Sequence, residues 1–139
     1  MTFPEPVHYS RTDCTVGWKI KDWDTANKLL SYLEPDRRHF AIFELPDRSF
    51  AQCLGRKTAL TVEAREFHED GTFTHWVFGK GPLTGETTQV GGDAGVVTVD
   101  TSQVLKMRDA RVILRQFLER RTFPEQYERQ AVTERFAEQ

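Results

Sequence analysis

The hydrophobic positions of this chain change their period between residues 96 and 118. Val96, Val97 and Val99 form a β-branched run that is long enough for one strand and too short for an amphipathic helix. From residue 107 onward the apolar positions recur at helical spacing, with charged side chains between them. These apolar positions are Met107, Ala110, Ile113, Leu114, Phe117 and Leu118. The pattern predicts a strand followed closely by a helix, a unit on which other strands can stack.

The N-terminal part of the chain predicts an extended arm, a short strand and a helix. Residues 1–13 carry two prolines and mixed polarity, which favours an extended arm. Residues 14–20 have the pattern of a short edge strand. Residues 23–33 carry an apolar stripe at helical spacing, and either Asp22 or Asp24 can cap the start of this helix.

The middle of the chain predicts strands. Residues 39–45 are apolar on both faces except at Glu44, which indicates a central strand covered on both sides. The sequence Glu69-Asp70-Gly71 predicts a hairpin turn, because Asp-Gly supplies the positive φ angles that tight turns demand. Further strands are predicted at residues 49–54, 59–68 and 72–78, with a polar strand or loop at residues 84–90.

These elements predict one α+β domain over residues 1–139. We expect an antiparallel sheet of about five or six strands, with an N-terminal and a C-terminal helix packed on it. Residues 128–139 are polar enough to form a frayed tail. A chain of 139 residues can bury a core without disulfides or a structural metal.

Three glycines, Gly91, Gly92 and Gly95, fall within five residues just before the valine-rich strand. Such a density usually marks backbone angles that residues with a Cβ avoid. The diglycine lacks the preceding strand and following helix of a dinucleotide-binding site, so it predicts a turn or bulge. We expect positive φ at Gly91 or Gly92, where the glycine sets the register of the strand at Val96.

Composition narrows the function classes. Nineteen basic and twenty-one acidic residues give a formal charge of −2, whereas a general nucleic-acid binder usually has a basic excess. Cys14 and Cys53 match no metal spacing or disulfide framework, and Cys53 lies in an apolar run typical of a buried thiol. The N-terminus lacks the pattern of a signal peptide, and no run of about 18 apolar residues predicts a membrane span. We therefore expect a cytoplasmic protein, most simply a monomer.

Candidate catalytic motifs are weak. Residues 79–87 are glycine-rich, but Glu86 stands where a phosphate-binding loop needs lysine, so a turn is favoured. His68, Glu69 and Asp70 could combine with His75 across the hairpin into an acid–base or metal site. The hairpin prediction instead places Glu69 and Asp70 at a solvated tip. We predict no catalytic residue, metal or cofactor, and keep open a small α+β enzyme or ligand-binding domain that uses these four side chains.

One predicted strand concentrates aromatic residues. By a period of two, Trp76 and Phe78 share one face of this strand, while Phe73 and Val77 share the other. One set must face the helices. The other set is either covered as well or forms an exposed aromatic patch of the kind that protein interfaces use.

The glycine cluster and the elements after it carry a resemblance to a known family. Over residues 16–127 the chain resembles an immunity-protein family of bacterial polymorphic toxin systems, the diglycine/tryptophan α+β family often encoded beside deaminase toxins. The residues that carry it are Val90, Gly91, Gly92, Ala94 and Gly95, the strand at 96–100, Val104 and Leu105, and the helix with Asp109, Ala110, Phe117 and Leu118. Two positions depart from the pattern: Arg120-Arg121-Thr122 stand where a glycine is common, and Tyr127 stands where a tryptophan is expected.

The resemblance implies binding and neutralisation of one cognate toxin, a deaminase or nuclease acting on nucleic acid, without catalysis. Such a toxin needs a basic cleft because phosphates dominate its substrate binding. An inhibitor of that cleft should offer carboxylates together with aromatic groups that exclude water. The hairpin at residues 66–78 supplies both, and we predict a toxin contact through Glu66, Glu69, Asp70, His75, Trp76 and Phe78. An adaptor or chaperone that delivers an effector without inhibiting it stays a second interpretation.

Overall fold

In the part of the chain that the structure describes, two helices pack on a seven-stranded antiparallel sheet, and two further strands form a separate hairpin. The computed structural model describes residues 2–11, 14–33, 40–92 and 95–136. The strands are β1 (Thr2–Arg11), β2 (Cys14–Asp22), β3 (Phe40–Glu44), β4 (Phe50–Arg56), β5 (Ala59–Phe67), β6 (Phe73–Gly79), β7 (Thr87–Gly92), β8 (Gly95–Asp100) and β9 (Glu128–Ala131). The helices are α1 (Trp23–Leu30) and α2 (Met107–Arg120), with 3₁₀ turns at Thr101–Gln103 and Thr133–Phe136. The large sheet has the order β2-β1-β3-β4-β5-β6-β9, and β7 pairs with β8.

The predicted α+β class and antiparallel sheet are confirmed, but the strand number and the arm at residues 1–13 are wrong. Residues 2–11 form β1, which lies inside the sheet between β2 and β3. Val7 and Tyr9 on this strand are buried at 0% and 1% exposure. The two prolines fall where the pairing with β2 is irregular, between Thr2 and Val7, so their missing amide donors cost no regular ladder bond.

The two helices are interior elements of the chain. Helix α1 follows two strands and α2 is followed by β9, so neither is terminal as predicted. Asp22 caps α1, because its carboxylate accepts a hydrogen bond from the Thr25 amide at 2.9 Å. Helix α1 ends at Leu30, before the predicted boundary at residue 33.

Both helices supply side chains to one core against one face of the large sheet. Helix α2 contacts β1, β4 and β5, and α1 contacts α2 and β2. On β3, Ala41 and Phe43 belong to this core, Ile42 is half-buried and Glu44 is exposed. The predicted covering of β3 on both sides is therefore complete on the helix side and partial on the other side, where Ile42 is half-buried. We call the sheet face turned away from this core the distal face.

Helix α2 ends in a left-handed residue that is not glycine. Arg121 has φ +59°, a conformation that costs less for glycine, and it stands where the resembled family commonly carries glycine. Its guanidinium donates to Asp47 at 2.8 Å and to Glu5 at 3.3 Å. These contacts tie the helix end to β1 and to the turn between β3 and β4.

The glycine-rich segment forms a turn between β6 and β7, at residues 80–86, as predicted, and Asp100 organises it. Asp100 accepts hydrogen bonds from the Ser102 hydroxyl and from the amides of Thr84, Gly85 and Ser102. These bonds, that of the Ser102 hydroxyl first, hold the pKa of Asp100 well below its usual value despite partial desolvation. Gly85 takes φ +85°, and a strand rather than a helix follows it.

The positive φ predicted at the diglycine is confirmed at Gly91, which has φ +130°. Gly91 pairs with Val96 and Gly92 pairs with Gly95 in the β7–β8 hairpin, while residues 93 and 94 lie outside the described part. Val90 is buried beside Gly55, where an added Cβ would lie 2.9 Å from the Val90 side chain. Gly91 thus follows Val90 on β7, the strand through which the hairpin contacts β4 and β5.

We expect Gly91→Val to destabilise the fold by about 1–3 kcal/mol, because a β-branched residue is strained at this backbone conformation. Chemical denaturation with urea measures the change, and Val96→Thr at the paired strand position serves as a control for altered strand composition. If Gly91→Val unfolds like the parent and only partner binding is lost, Gly91 belongs to an interface and not to the fold.

Candidate functional site

The hairpin of β5 and β6 projects a short tip of five residues, 68–72. The His68 amide donates to the Thr72 carbonyl at 2.8 Å, and the Gly71 amide donates to the His68 carbonyl at 3.1 Å. Gly71 has φ +89°, which the Asp-Gly signal predicted. The tip is thus a closed turn at the end of two paired strands.

The tip presents two exposed carboxylates, Glu69 and Asp70. The Asp70 carboxylate accepts hydrogen bonds from the Thr72 hydroxyl at 2.6 Å and the Thr72 amide at 2.9 Å. Both bonds lower the pKa of Asp70, the hydroxyl bond first, because they favour the charged form. The turn therefore fixes the position of an ionised carboxylate in solvent.

Glu66 and Trp76 lie together behind the tip. Both are half-buried, and the Trp76 indole donates to a Glu66 carboxylate oxygen at 2.8 Å. The Arg129 guanidinium from β9 lies 4.6 Å from the centre of the Trp76 ring, a cation–π distance. Trp76 packs at the edge of the helix-side core.

The other two members of the predicted contact set are buried. Phe78 has 0% exposure and packs on Phe123 with ring centres 5.1 Å apart, so it belongs to the core and offers no contact surface. His75 has 1% exposure and faces the distal side of the sheet, because side chains alternate along β6. The six predicted residues therefore do not form one surface. Glu69 and Asp70 lie at the tip, and Glu66 with Trp76 lies behind it.

His75 is the centre of a buried polar cluster on the distal face. Its Nε2 lies 2.7 Å from a Glu63 carboxylate oxygen, and its Nδ1 accepts a hydrogen bond from Arg65 Nε at 3.1 Å. Because Nδ1 accepts, Nε2 must carry the proton that it donates to Glu63.

Arg65 lies among aromatic rings in the same cluster. Its guanidinium carbon is 4.1 Å from the centre of the Phe73 ring, 4.4 Å from that of Phe136 and 5.5 Å from that of Phe50. Burial lowers the pKa of Arg65, against the opposing effect of the Glu63 charge. The guanidinium pKa ordinarily lies so far above neutrality that Arg65 keeps its charge.

This cluster fastens the C-terminal segment that we predicted to fray. The Val132 amide donates to the His75 carbonyl at 2.8 Å, and the Thr133 hydroxyl accepts from the His75 amide at 3.1 Å. The Phe136 ring packs on His75 with ring centres 4.6 Å apart and ring planes tilted by 52°. Up to residue 136 the segment is therefore part of the sheet and its distal face, and residues 137–139 lie outside the described part.

The alternative site built from His68, Glu69, Asp70 and His75 does not assemble. His68 Nε2 lies 2.9 Å from the Thr74 hydroxyl, whereas His75 binds Glu63 across the sheet. Asp70 is engaged with Thr72 at the tip. Within residues 2–11, 14–33, 40–92 and 95–136, no three His, Cys, Asp or Glu side chains are grouped to hold a metal ion.

Cys53 contributes no side chain to this site. Cys53 is buried on β4, and burial raises the pKa of its thiol far above the ordinary value. Cys14 lies in β2, and its side chain falls outside the described part. Among the helices of the described residues, none has the length and apolar character needed to cross a membrane.

Comparison with known proteins leaves the family open. No protein-family model matches the chain, and a search of curated proteins finds no match. Neither result supports or opposes the resemblance to the immunity-protein family.

Proposed function

We propose that this protein is a cytoplasmic immunity protein that binds a cognate bacterial toxin and neutralises it by protein–protein inhibition. The toxin class that fits is one acting on nucleic acid, a deaminase or a nuclease. The observation that carries the proposal is the exposed acidic tip of the β5–β6 hairpin, where Asp70 is held by two hydrogen bonds from Thr72. The diglycine cluster adds support, because Gly91 has the backbone conformation that favours glycine.

The charge of the tip matches the surface that such a toxin must expose. A nucleic-acid enzyme attracts phosphates with basic side chains in its cleft. Glu69 and Asp70 supply negative charge at the end of a narrow hairpin, which can enter a cleft more readily than a flat sheet face. The tip is already ordered by its own hydrogen bonds, so binding costs less conformational entropy than ordering a flexible loop would.

Behind the tip, Glu66 and Trp76 provide the combination of a carboxylate and an aromatic group that excludes water. Their mutual hydrogen bond fixes the indole, and the half-buried ring leaves part of its surface for a partner. His75 and Phe78 do not touch the partner in this proposal. They hold β6 in the sheet and so support the contact indirectly. The proposed contact therefore runs from the tip along the helix-side face of the hairpin.

The proposal includes no catalytic step and no cofactor, and the protein acts as a monomer on one toxin domain. It predicts strong salt dependence of binding, because the attraction between exposed charges is screened within about 8 Å at physiological ionic strength. The protein should also associate with the toxin quickly at low salt, since opposite charges steer encounter.

Co-expression tests the proposal. A large multidomain protein with a small C-terminal toxin domain, if one is encoded directly upstream, would supply the candidate toxin, and that domain is expressed alone or together with this protein. We expect cells to die with the toxin alone and to survive with both. Equal killing in both cases would rule out immunity to that toxin. Co-purification of a fully active toxin with this protein would instead favour an adaptor or chaperone.

A further inference from the structure

Strand β8 is the outer strand of the β7–β8 hairpin, because β7 lies against β4 and β5. The Thr101 amide donates to the Glu86 carbonyl at 2.9 Å, which continues the ladder of this hairpin by one pair. Residues of an antiparallel pair bond in alternation, so the odd-numbered residues of β8 bond to β7. Val96 and Thr98 therefore direct their N–H and C=O groups away from β7. Among the described residues, no hydrogen bond occupies these outward groups.

The outer edge of β8 is also uncharged. Residues 95–99 include no charged residue and no proline. Val96 is 54% exposed and Thr98 is exposed, so the solvent face of the strand carries β-branched side chains. Asp100 comes next, but it is buried and its carboxylate accepts hydrogen bonds from amides of the β6–β7 turn. Strand β8 thus presents an uncharged edge with a high preference for strand structure.

The two edges of the large sheet, unlike that of β8, are protected against pairing. Strand β2 carries the exposed Lys19 and Lys21 and a left-handed Gly17, beside which its pairing with β1 shifts register. Strand β9 has four residues, and two of them are the exposed Glu128 and Arg129. Charged side chains, bulges and short length are the means by which proteins block unwanted strand pairing. The edge of β8 carries no such charge, which is typical of an edge that pairs with another strand.

We propose that β8 pairs with β8 of a second copy of this chain, antiparallel and about a two-fold axis at Val97. The backbone of β8 is self-complementary in this register. Val96 of each copy lies opposite Thr98 of the other, and each of these two pairs exchanges both of its N–H···O=C bonds. The outward groups of one copy are therefore satisfied by the same groups of the other, and the two hairpins join into one four-stranded sheet.

Side chains and symmetry favour the second copy over an unrelated strand. Val96 beside Thr98 of the other copy is a cross-strand pair of β-branched residues, and the two-fold axis forms this pair twice. No like charges face each other within residues 95–99, because the segment has none. A two-fold contact uses the same surface on both copies, so the assembly closes at two chains and leaves no β8 edge for a third.

The pair leaves the tip of the β5–β6 hairpin free. The β7–β8 hairpin packs beside Gly55, which pairs with Leu60 near the start of β5. The tip follows Phe67 at the other end of β5, about 23 Å away along the strand. Each copy can therefore still act as a single chain on one toxin domain. The pairing of β8 does not depend on the toxin contact, and either can fail without the other.

Sedimentation equilibrium of the whole chain, from about 10 μM to about 1 mM, tests the pair over the affinities expected of one small interface. We expect the average mass to rise from that of one chain toward that of two. Hydrogen exchange measured by NMR should slow several-fold at the amides of Val96 and Thr98 as the concentration rises. The outward amides of β2 and β9 should keep their exchange rates.

Two variants address the edge itself. Thr98→Pro removes one outward N–H and spares the β7–β8 hydrogen bonds, because this amide points away from β7. Val96→Lys keeps the backbone, and the two lysines of a pair lie diagonally across the axis within about 8 Å. We expect each variant to raise the dissociation constant of the pair at least about 10-fold. Leu83→Lys is the matched control, since Leu83 is likewise 54% exposed and gains the same charge, and its dissociation constant should stay within about threefold of the wild-type value.

The outcomes separate the second copy from the alternatives. A mass of one chain at every concentration up to about 1 mM would overturn the pair. Pairing that survives both Thr98→Pro and Val96→Lys, or that Leu83→Lys weakens equally, would place the contact elsewhere and also overturn it. Assemblies that grow beyond two chains would contradict the closed two-fold contact. Thermal unfolding followed by circular dichroism checks each variant, and if Thr98→Pro does not fold, Val96→Lys decides.

Discussion

Replacing Glu69 and Asp70 together by lysine is expected to abolish protection against the toxin while the protein stays folded. In the proposed complex both carboxylates face basic groups of the substrate cleft, and lysine there converts two attractions into two repulsions. Juxtaposed like charges at an interface cost several kcal/mol, so the dissociation constant should rise at least about 100-fold. Cell survival in co-expression and titration calorimetry with the toxin domain measure the effect.

Two controls separate charge from structure in this experiment. Glu69→Gln with Asp70→Asn removes the charges but leaves an amide oxygen to accept from Thr72, so it should weaken binding less than the lysine variant. Glu86→Lys with Glu125→Lys makes the same change in net charge at two exposed positions away from the tip, and it should protect like the parent. Full protection by the lysine tip variant would move the interface away from the hairpin.

Phe78→Ala is expected to destabilise the protein by about 3–5 kcal/mol, because truncating a fully buried aromatic side chain removes its transfer free energy and leaves a cavity. This loss is a large share of the roughly 5–15 kcal/mol by which domains are usually stable. Urea unfolding at 25 °C measures it. Any loss of toxin protection should follow from unfolding, since the side chain has no exposed surface to offer a partner.

Leu83→Ala is the comparison variant for this effect. Leu83 is also a large apolar residue but is 54% exposed, so its truncation should change the free energy of unfolding by less than about 0.5 kcal/mol. If Phe78→Ala keeps parental stability and loses toxin binding, Phe78 is part of the contact surface, as the sequence pattern first suggested, and its placement in the core is wrong.

Local signals in the sequence predicted local structure well. The Asp-Gly pair placed the hairpin tip at Gly71, the diglycine placed a positive φ at Gly91, and Asp22 caps α1. Each of these depends on a few neighbouring residues and on steric rules that do not change with the fold. The helical spacing of α2 was equally readable, because its core side repeats over 14 residues.

Contacts between distant segments could not be predicted from the sequence. A period of two separates His75 from Trp76 and Phe78, but it does not say which face the helices cover. The contact of Arg65 with Phe136 joins residues 71 positions apart, and neither residue carries a local mark of the other. The same holds for β1, whose prolines argued for an arm until its place between β2 and β3 supplied partners on both sides.

The acidic part of the candidate contact surface could therefore be predicted from the sequence, and the aromatic part could not. Acidic residues next to a glycine turn had to be exposed, and Glu69 and Asp70 are. The aromatic residues behind them could belong to a contact surface or to the core. For Phe78, only its packing against Phe123 in the structure shows that it belongs to the core. Arg121 gives a similar lesson, because its left-handed conformation replaces a glycine that the resemblance led us to expect and depends on partners in two distant strands.

The most direct test of inhibition by binding is a titration of the purified toxin domain. Its turnover of a nucleic-acid substrate is measured at a toxin concentration well above the dissociation constant, while this protein is added in increments. We expect activity to fall linearly and to vanish near one molecule of this protein per toxin domain, whereas an equimolar amount of the lysine tip variant should leave most of the activity. Full toxin activity in the presence of excess wild-type protein would contradict the proposed function.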